Sequence, residues 1–377
     1  MASLQRLLKE SWTLVEDHAD KLAGHFYARI FVLDPQLRDL FPIQMDAQRN
    51  RLLNAVVRAV QQVEDPERFA DEHRALGRDH RKFHVQPEHH DVVRECLIDA
   101  LARYAGEQWS PEYAQAWRDA YDAIAGHMVA GAAADETTGR PAFWHAEVLS
   151  HERRAHDIAV ITARPFIHLP YHAGQYVAVE TPYRPRLWRT YSIANAPRRD
   201  GIVEFHVRAV GAGWGSSALV WKLRQGDVIR LGAPMGRMLV DLRSTRDVLC
   251  IAGGTGLAPL KAIAEEVCRG NRIRTDRPRH VHLFFGAKTE DELYDLRSLM
   301  MLTKRHPWLT VVPAVSGDPD YAGRRGEIAA VALRHGTWRR HDVYVSGSPI
   351  MVRNTLNALN QAGIPPTRVR YDAFADL

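Results

Sequence analysis

The hydrophobic rhythm of this chain changes twice, and each stretch between the changes needs its own kind of core. Up to about residue 135 the apolar positions recur at three- and four-residue intervals. Leu4, Leu7, Leu8, Trp12 and Val15 do so, as do Leu52, Leu53, Ala55, Val56, Ala59 and Val60, and then Val92, Val93, Cys96, Leu97 and Leu101. That spacing stacks side chains on one helix face. Asp34-Pro35 and Gln86-Pro87-Glu88 predict helix starts, since proline suits a first turn whose N–H groups lack partners. Nothing here reads as a strand, so an all-α domain is expected. Residues 132–141 predict a helix end and a linker. Short β-rich runs follow at Ile158–Ala163, Tyr176–Glu180, Arg189–Ala194, Ile202–Val210 and Asp227–Leu231, which predicts a small antiparallel barrel. From about Thr245 strand and helix alternate: Val248–Ala252 and Leu257–Val267, Val281–Phe285 and Glu290–Leu302, Leu309–Val315, His341–Ser346 and Pro349–Gln361. Alternation predicts a parallel sheet with crossover helices.

Composition agrees with several domains. At about 100–200 residues per domain, 377 residues make two or three, and 46% hydrophobic with 25% charged residues excludes a disordered or fibrous chain. Three cysteines without close pairing (Cys96, Cys250, Cys268) exclude a disulfide scaffold and a four-cysteine zinc or iron–sulfur site, and fit a reducing compartment. The most apolar stretch, Val248–Ala264, is interrupted by three glycines, Pro259 and Lys261, and no stretch reaches the roughly 20 residues that cross a bilayer. The charged opening residues do not form a secretory core. A net charge of +5, with arginines scattered among acids, gives no basic stripe for nucleic acid. A soluble cytoplasmic monomer is expected.

Two motifs carry chemistry in the second half. Leu249-Cys250-Ile251-Ala252-Gly253-Gly254-Thr255-Gly256-Leu257-Ala258-Pro259-Leu260 takes an apolar strand through a glycine turn into a helix. Such a turn lets backbone N–H groups approach a pyrophosphate at the positive end of the helix. The third glycine of the ordinary dinucleotide fingerprint is replaced by Pro259, and by itself the loop is equally a tight turn of any α/β domain. Arg189-Thr190-Tyr191-Ser192 follows Gly174-Gln175-Tyr176 by about fifteen residues. On a strand Arg189 and Tyr191 share a face, which offers a cation to a phosphate and a ring for stacking.

In this order and spacing the motifs resemble the ferredoxin–NADP reductase superfamily, over roughly residues 143–377. Phe285-Gly286-Ala287, Val345-Ser346-Gly347-Ser348-Pro349 and Tyr371-Asp372-Ala373-Phe374 match it further. The resemblance implies that Arg189 holds the FAD phosphates, that Tyr191 and Ser192 line the ribityl and isoalloxazine with Thr190 also among the cofactor-binding residues, and that Tyr176 lies at the cofactor edge. It implies that Gly213-Trp214-Gly215-Ser216-Ser217 closes on the pyrophosphate, with Ser217 in contact. Gly254, Thr255, Gly256, Leu257, Ala258 and Pro259 would hold the nicotinamide dinucleotide, and Ala373 and Phe374 would cover the flavin face where nicotinamide docks. Ser346 stands where the family often has cysteine. Arg324 and Arg325 could reach a 2′-phosphate or stay solvated, so NADH and NADPH both remain open.

The helical part contains His25-Phe26-Tyr27, residues 34–41 ending in Leu40-Phe41, Gln48 with Leu52 one turn on, and Arg78-Asp79-His80-Arg81-Lys82-Phe83-His84-Val85. These resemble the globin domain of flavohaemoglobins, and the globin–FAD–NAD order then accounts for the whole chain. The resemblance implies an all-α globin (1–137), an antiparallel β-barrel FAD domain (138–243) and an α/β parallel-sheet NAD domain (244–377). It implies His80 as the axial ligand of haem b iron, Phe41 packing on the porphyrin, Tyr27 and Gln48 as donors to bound O₂, and Leu52 as the pocket wall. Three positions depart from the family: Asp79 for Lys, His90 for Tyr, and Ala132 for Glu. The implied activity passes electrons from NAD(P)H through FAD to haem and converts nitric oxide and O₂ to nitrate. A haem-linked reductase acting on another substrate, or a globin gas or redox sensor, are the alternatives.

Overall fold

The computed structural model describes residues 3–42, 45–62, 66–211, 213–275 and 277–373. Two compact units divide at Phe143 and Trp144.

The first unit is helical among the described residues: α1 Leu4–Thr13, α2 Ala19–Leu33, α3 Asp46–Gln62, α4 Pro66–His80, α5 His89–Ala105 and α6 Pro111–Glu136. Ser3 caps α1 by accepting from the Arg6 N–H, and Ser110 caps α6 by accepting from the Tyr113 N–H, with Pro111 at the first helical position. Asp34-Pro35 starts a 3₁₀ segment, Pro35–Leu40, rather than an α-helix; the Asp34 carboxylate accepts from the Gln36 N–H at 3.0 Å. Gln86-Pro87-Glu88 turns directly into α5, as expected. Leu8, Leu22, Phe26, Ile30, Leu101 and Trp117 form the buried centre, where each full aliphatic burial is worth about 1.5–3 kcal/mol. The Trp117 indole donates to Ser11 Oγ at 2.9 Å, which satisfies a buried polar group in that centre.

The crossing of α4 and α6 positions the end of α4. A Cβ on Gly77 would lie 1.9 Å from the Met128 carbonyl oxygen, and one on Gly131 2.2 Å from that of Arg74. The two backbones therefore touch, and any side chain at either glycine would push the helices apart. His80 follows three residues past Gly77, at the end of α4.

The second unit opens with β1 Trp144–Arg153, β2 Ile158–Pro165, β3 Tyr176–Glu180, β4 Arg189–Ser192 and β5 Val203–Arg208, followed by α7 Trp214–Trp221 and β6 Val228–Leu231. The antiparallel order is β4-β3-β6-β1-β2-β5. An Ile193–Phe205 bridge and the Ala194 N–H donating to the Glu204 carbonyl at 2.7 Å bring the outer strands β4 and β5 together, so the barrel is nearly closed. Its longest strand, β1, has no counterpart among the expected runs. Trp144, Ala146 and Val148 alternate inward, but a bulge after Val148 and the polar run that follows hide the period in the sequence.

The remainder is β7 Val248–Gly253, α8 Leu257–Gly270, β8 Val281–Ala287, α9 Leu296–Arg305, β9 Leu309–Val315, β10 Arg324–Arg325, α10 Ile328–His335, β11 Asp342–Gly347, α11 Pro349–Gln361 and β12 Val369–Ala373. The sheet is parallel in the order β10-β9-β8-β7-β11-β12. Strand order reverses at β7, and such a switch leaves a ligand crevice at the carboxyl ends of the two strands that diverge from it. One expected helix is corrected: Glu290–Leu302 is helical only from Leu296, because Tyr294 and Asp295 turn inward and Asp295 gives its carboxylate to other partners instead of a cap. Among the described residues no helix is long and apolar enough to cross a membrane.

Candidate functional site

In the helical unit, α2 buries Tyr27 against an aromatic group. Its ring centroid lies 4.9 Å from Phe26, 5.5 Å from Phe41 and 6.2 Å from Phe31. The phenol donates to the backbone carbonyl of Gln48 at 3.2 Å, so Gln48 meets Tyr27 through its main chain. Phe41 and Leu52 are half-buried against the same core. His80 ends α4 and its Nδ1–H donates to the Leu76 carbonyl at 2.9 Å. That fixes the tautomer and leaves Nε2, which has no partner among the described residues, with a free lone pair. Burial pulls the His80 pKa down, against the neighbouring Asp79 carboxylate, so the ring is neutral. A neutral imidazole with one nitrogen anchored and the other open fits an iron ligand.

The charges around His80 are paired. Asp79 pairs with buried Lys82, and Arg81 with buried Asp135, which Arg140 also approaches at 3.7 Å. His90 Nδ1 lies 3.2 Å from the Tyr121 hydroxyl, and Ala132 is half-buried on α6. The pairing of Arg81 with Asp135, 54 residues apart, was invisible in the sequence, where Asp135 is one charge among many.

In the barrel, β3 and β4 place Tyr176 opposite Ser192 and Val179 opposite Arg189. Arg189 and Tyr191 are half-buried, whereas Thr190 between them is exposed, as a strand's two-residue period requires. Arg189 donates to the Trp188 carbonyl at 3.0 Å but has no carboxylate partner among the described residues, although burial pulls its pKa down. Gly215, in the first turn of α7, lies against it: a Cβ there would sit 3.1 Å from Arg189 Cγ. An uncompensated guanidinium beside a helix start is an anion site, and it fits a pyrophosphate. Burial also raises the Tyr191 pKa, so the phenol stays protonated beside it. Ser217 is half-buried on α7, its N–H donating to the Gly213 carbonyl at 2.9 Å, and Tyr176 packs on Gly236.

At the crevice, β7 runs into a single 3₁₀ turn, Gly254–Gly256, and then α8. Gly254 has φ +54 with open space where a Cβ would point, while a Cβ on Gly256 would meet the Ser346 carbonyl oxygen at 2.3 Å. The turn thus passes close to β11 and keeps its outer side free, as a dinucleotide cradle requires. Leu257, Ala258 and Pro259 are buried and pack α8 on the sheet, so only their backbone is available to a ligand. The Ser346 hydroxyl is fully buried without a hydrogen-bond partner among the described residues, and across the ladder Ser346 pairs in register with Asp372, whose carboxyl burial pushes up. Asp372 entered the sequence reading only as one letter of a motif. Ala373 pairs with Gly347 through its backbone, and Phe374 lies outside the described residues. Arg324 and Arg325 are exposed on β10.

Residues 24–128 match the globin family, 144–239 the oxidoreductase FAD-binding domain and 250–357 the oxidoreductase NAD-binding domain. The chain is 24% identical to a flavohaemoprotein of Bacillus subtilis, covering 98% of this chain and 96% of that one. It is 30% identical to a flavohaemoprotein of Bordetella pertussis over 72% of this chain and 73% of the relative. Its fold superimposes on a flavohaemoglobin from Malassezia yamatoensis solved with FAD and haem, with a TM-score of 0.78 at 16% identity, covering 99% of this chain and 98% of that one. A globin that precedes an FAD-binding barrel and an NAD-binding sheet makes this chain a member of the flavohaemoprotein family of oxidoreductases.

Proposed function

We propose that this flavohaemoprotein is a nitric oxide dioxygenase that draws its electrons from NAD(P)H. When bound, nicotinamide, FAD and haem supply hydride delivery, one-electron transfer and the oxidation of nitric oxide by O₂ to nitrate. This chain's residues bind and orient. Arg189 and the first turn of α7 hold the FAD pyrophosphate, with Tyr191 and Ser192 beside the ring system. The Gly254–Gly256 turn and the start of α8 receive the dinucleotide. The Leu76 carbonyl keeps the proton on His80 Nδ1 and directs Nε2 to iron. The observation that carries the reading is Tyr27, a phenol buried in an aromatic cluster of a globin that is followed by a reductase module. In so apolar a place the hydroxyl, once turned from the Gln48 carbonyl, can donate to negative charge on a bound diatomic ligand, and the surrounding rings exclude water. Gln48 adds polarity, and Phe41 and Leu52 wall the pocket.

Electron balance fixes one NAD(P)H oxidised for every two nitric oxide and two O₂ molecules converted to two nitrates, since each conversion takes one electron. Simultaneous electrodes for both gases, nicotinamide absorbance and nitrate assay test that ratio. NAD(P)H oxidation indifferent to nitric oxide would instead support a reductase with another substrate. Gas binding without turnover would support a sensor. Arg324→Ala and Arg325→Ala, compared for the KM of NADPH and NADH, test the coenzyme choice.

A further inference from the structure

A buried cluster of charges joins the barrel to the parallel sheet inside the second unit. Glu204 and His206 come from β5, and Arg154 follows β1; Lys261 comes from α8, and Tyr294 and Asp295 precede α9. Lys261 Nζ donates to Glu204 Oε1 at 2.8 Å and to Asp295 Oδ2 at 2.9 Å. Glu204 also accepts from His206 Nε2 at 2.9 Å, and His206 Nδ1 accepts the Tyr294 hydroxyl at 2.8 Å. Arg154 pairs with the other oxygen of Asp295. Glu204, His206 and Asp295 have the spacing of a cation site, their ligand atoms within 4.8 Å of one another, and the cation there is the ammonium of Lys261. Burial would raise the Glu204 carboxyl, but His206 and Lys261 outweigh it and hold it below the usual range. Burial would likewise lower Lys261, and Glu204 and Asp295 raise it instead. All the partners are therefore charged or hydrogen-bonded in one arrangement.

The placement gives the cluster a use. The Glu204 N–H donates to Asn195 Oδ1 and its carbonyl accepts from the Ala194 N–H, both at 2.7 Å, so Glu204 is fastened to the chain leaving the flavin strand β4. Lys261 lies one turn into α8, directly after the Gly254–Gly256 turn. One helical turn further, Glu265 accepts from the Ala196 N–H at 3.0 Å. The two residues share a helix face, and one grips β5 while the other grips the chain leaving β4. Buried ion pairs repay their desolvation poorly as stability but are satisfied at only one relative placement of their elements.

We propose that Lys261, with Glu204 and Asp295 as partners, is a positioning residue for hydride transfer that sets the dinucleotide turn relative to the flavin strand. The proposal rests on reading this module as an NAD(P)H-to-FAD reductase. In that step the C4–H bond of the dihydronicotinamide breaks, the hydride carries both electrons to flavin N5, and NAD(P)⁺ and the reduced flavin anion result. The reacting atoms must come within about 3–3.5 Å, and a misplacement of about 1 Å costs on the order of a hundredfold in rate.

Stopped-flow reduction of the FAD-loaded full chain at saturating NADH, then NADPH, tests this. Lys261→Met should slow flavin bleaching about tenfold to a hundredfold per bound FAD. It should weaken the long-wavelength absorbance of the nicotinamide–flavin complex, while KM and FAD content change less than about twofold. Lys261→Arg should regain part of the rate. Glu204→Gln, which keeps the side-chain shape, carries the same expectation if Lys261→Met does not fold. A wild-type rate per bound FAD in Lys261→Met or Glu204→Gln overturns the proposal alone, as does a loss that only tracks missing FAD. A wild-type flavin that neither nicotinamide reduces overturns the reductase reading and this proposal with it.

Discussion

The surroundings of His80 and of Arg189 treat charge in opposite ways. Beside His80 the two adjoining charges are answered: Asp79 by Lys82, Arg81 by Asp135. What stays open is a lone pair, at Nε2 of a ring whose other nitrogen donates to a backbone carbonyl. Beside Tyr191 the guanidinium of Arg189 meets one backbone carbonyl and stays uncompensated, half-buried and without a carboxylate among the described residues. A metal ligand needs electron density and gains nothing from a stray charge nearby, whereas a pyrophosphate needs a cation that is not already spoken for. The group left open at each place fits the ligand proposed for it.

The largest expected effects break the comparison at those two atoms. His80→Ala should abolish haem binding, read from the Soret band, while FAD content and NAD(P)H–ferricyanide activity persist, because the two units have separate cores. Loss of both cofactors together would show that the sites are not independent. Arg189→Gln should do the converse. Removing charge-assisted bonds of about 1.5–3 kcal/mol raises the FAD dissociation constant about ten- to a hundredfold, since 1.4 kcal/mol is a factor of ten. Fluorescence of released FAD measures it, and an unchanged constant would mean that another cation holds the phosphates. Next in size is Tyr27→Phe. O₂ should leave the reduced protein about tenfold faster in flash photolysis, for a lost hydrogen bond of roughly 1.5 kcal/mol. An unchanged rate would hand the donor role to Gln48.

What was legible in the sequence was whatever a local pattern enforces. Ser348-Pro349 marks the start of α11, where Ser348 Oγ accepts from the Met351 N–H at 3.3 Å, and the helix ends at Gln361 as its period predicts. The β7–turn–α8 passage and the shared face of Arg189 and Tyr191 follow from strand and glycine rules alone. Strand β1 was hidden by its bulge, and the start of α9 by tertiary pairing of Asp295. No pattern could have joined Lys261 to Glu204 or Arg81 to Asp135, 57 and 54 residues apart, since only folding brings such charges together.

The smallest expected effect tests whether the acids around His80 are truly spent. A carboxylate that accepts the proximal N–H makes the imidazole a stronger donor, which strengthens the iron–nitrogen bond and favours ferric iron. Here that N–H goes to the Leu76 carbonyl, Ala132 offers only a methyl group, and His90 is engaged with Tyr121. The iron–histidine stretch of the reduced, haem-loaded protein should therefore be lower, and its reduction potential higher, than in globins whose ligand bonds a carboxylate. Asp79→Asn should leave the stretch in place. It is not a silent change, because it removes the carboxylate that pairs with buried Lys82, a loss of stability readable by denaturant titration. The double variant His90→Tyr with Ala132→Glu should move the stretch up and the potential down. If Asp79→Asn instead lowers the stretch, the carboxylate is acting on His80 despite Lys82, and the contrast with the open guanidinium of Arg189 fails at its first term.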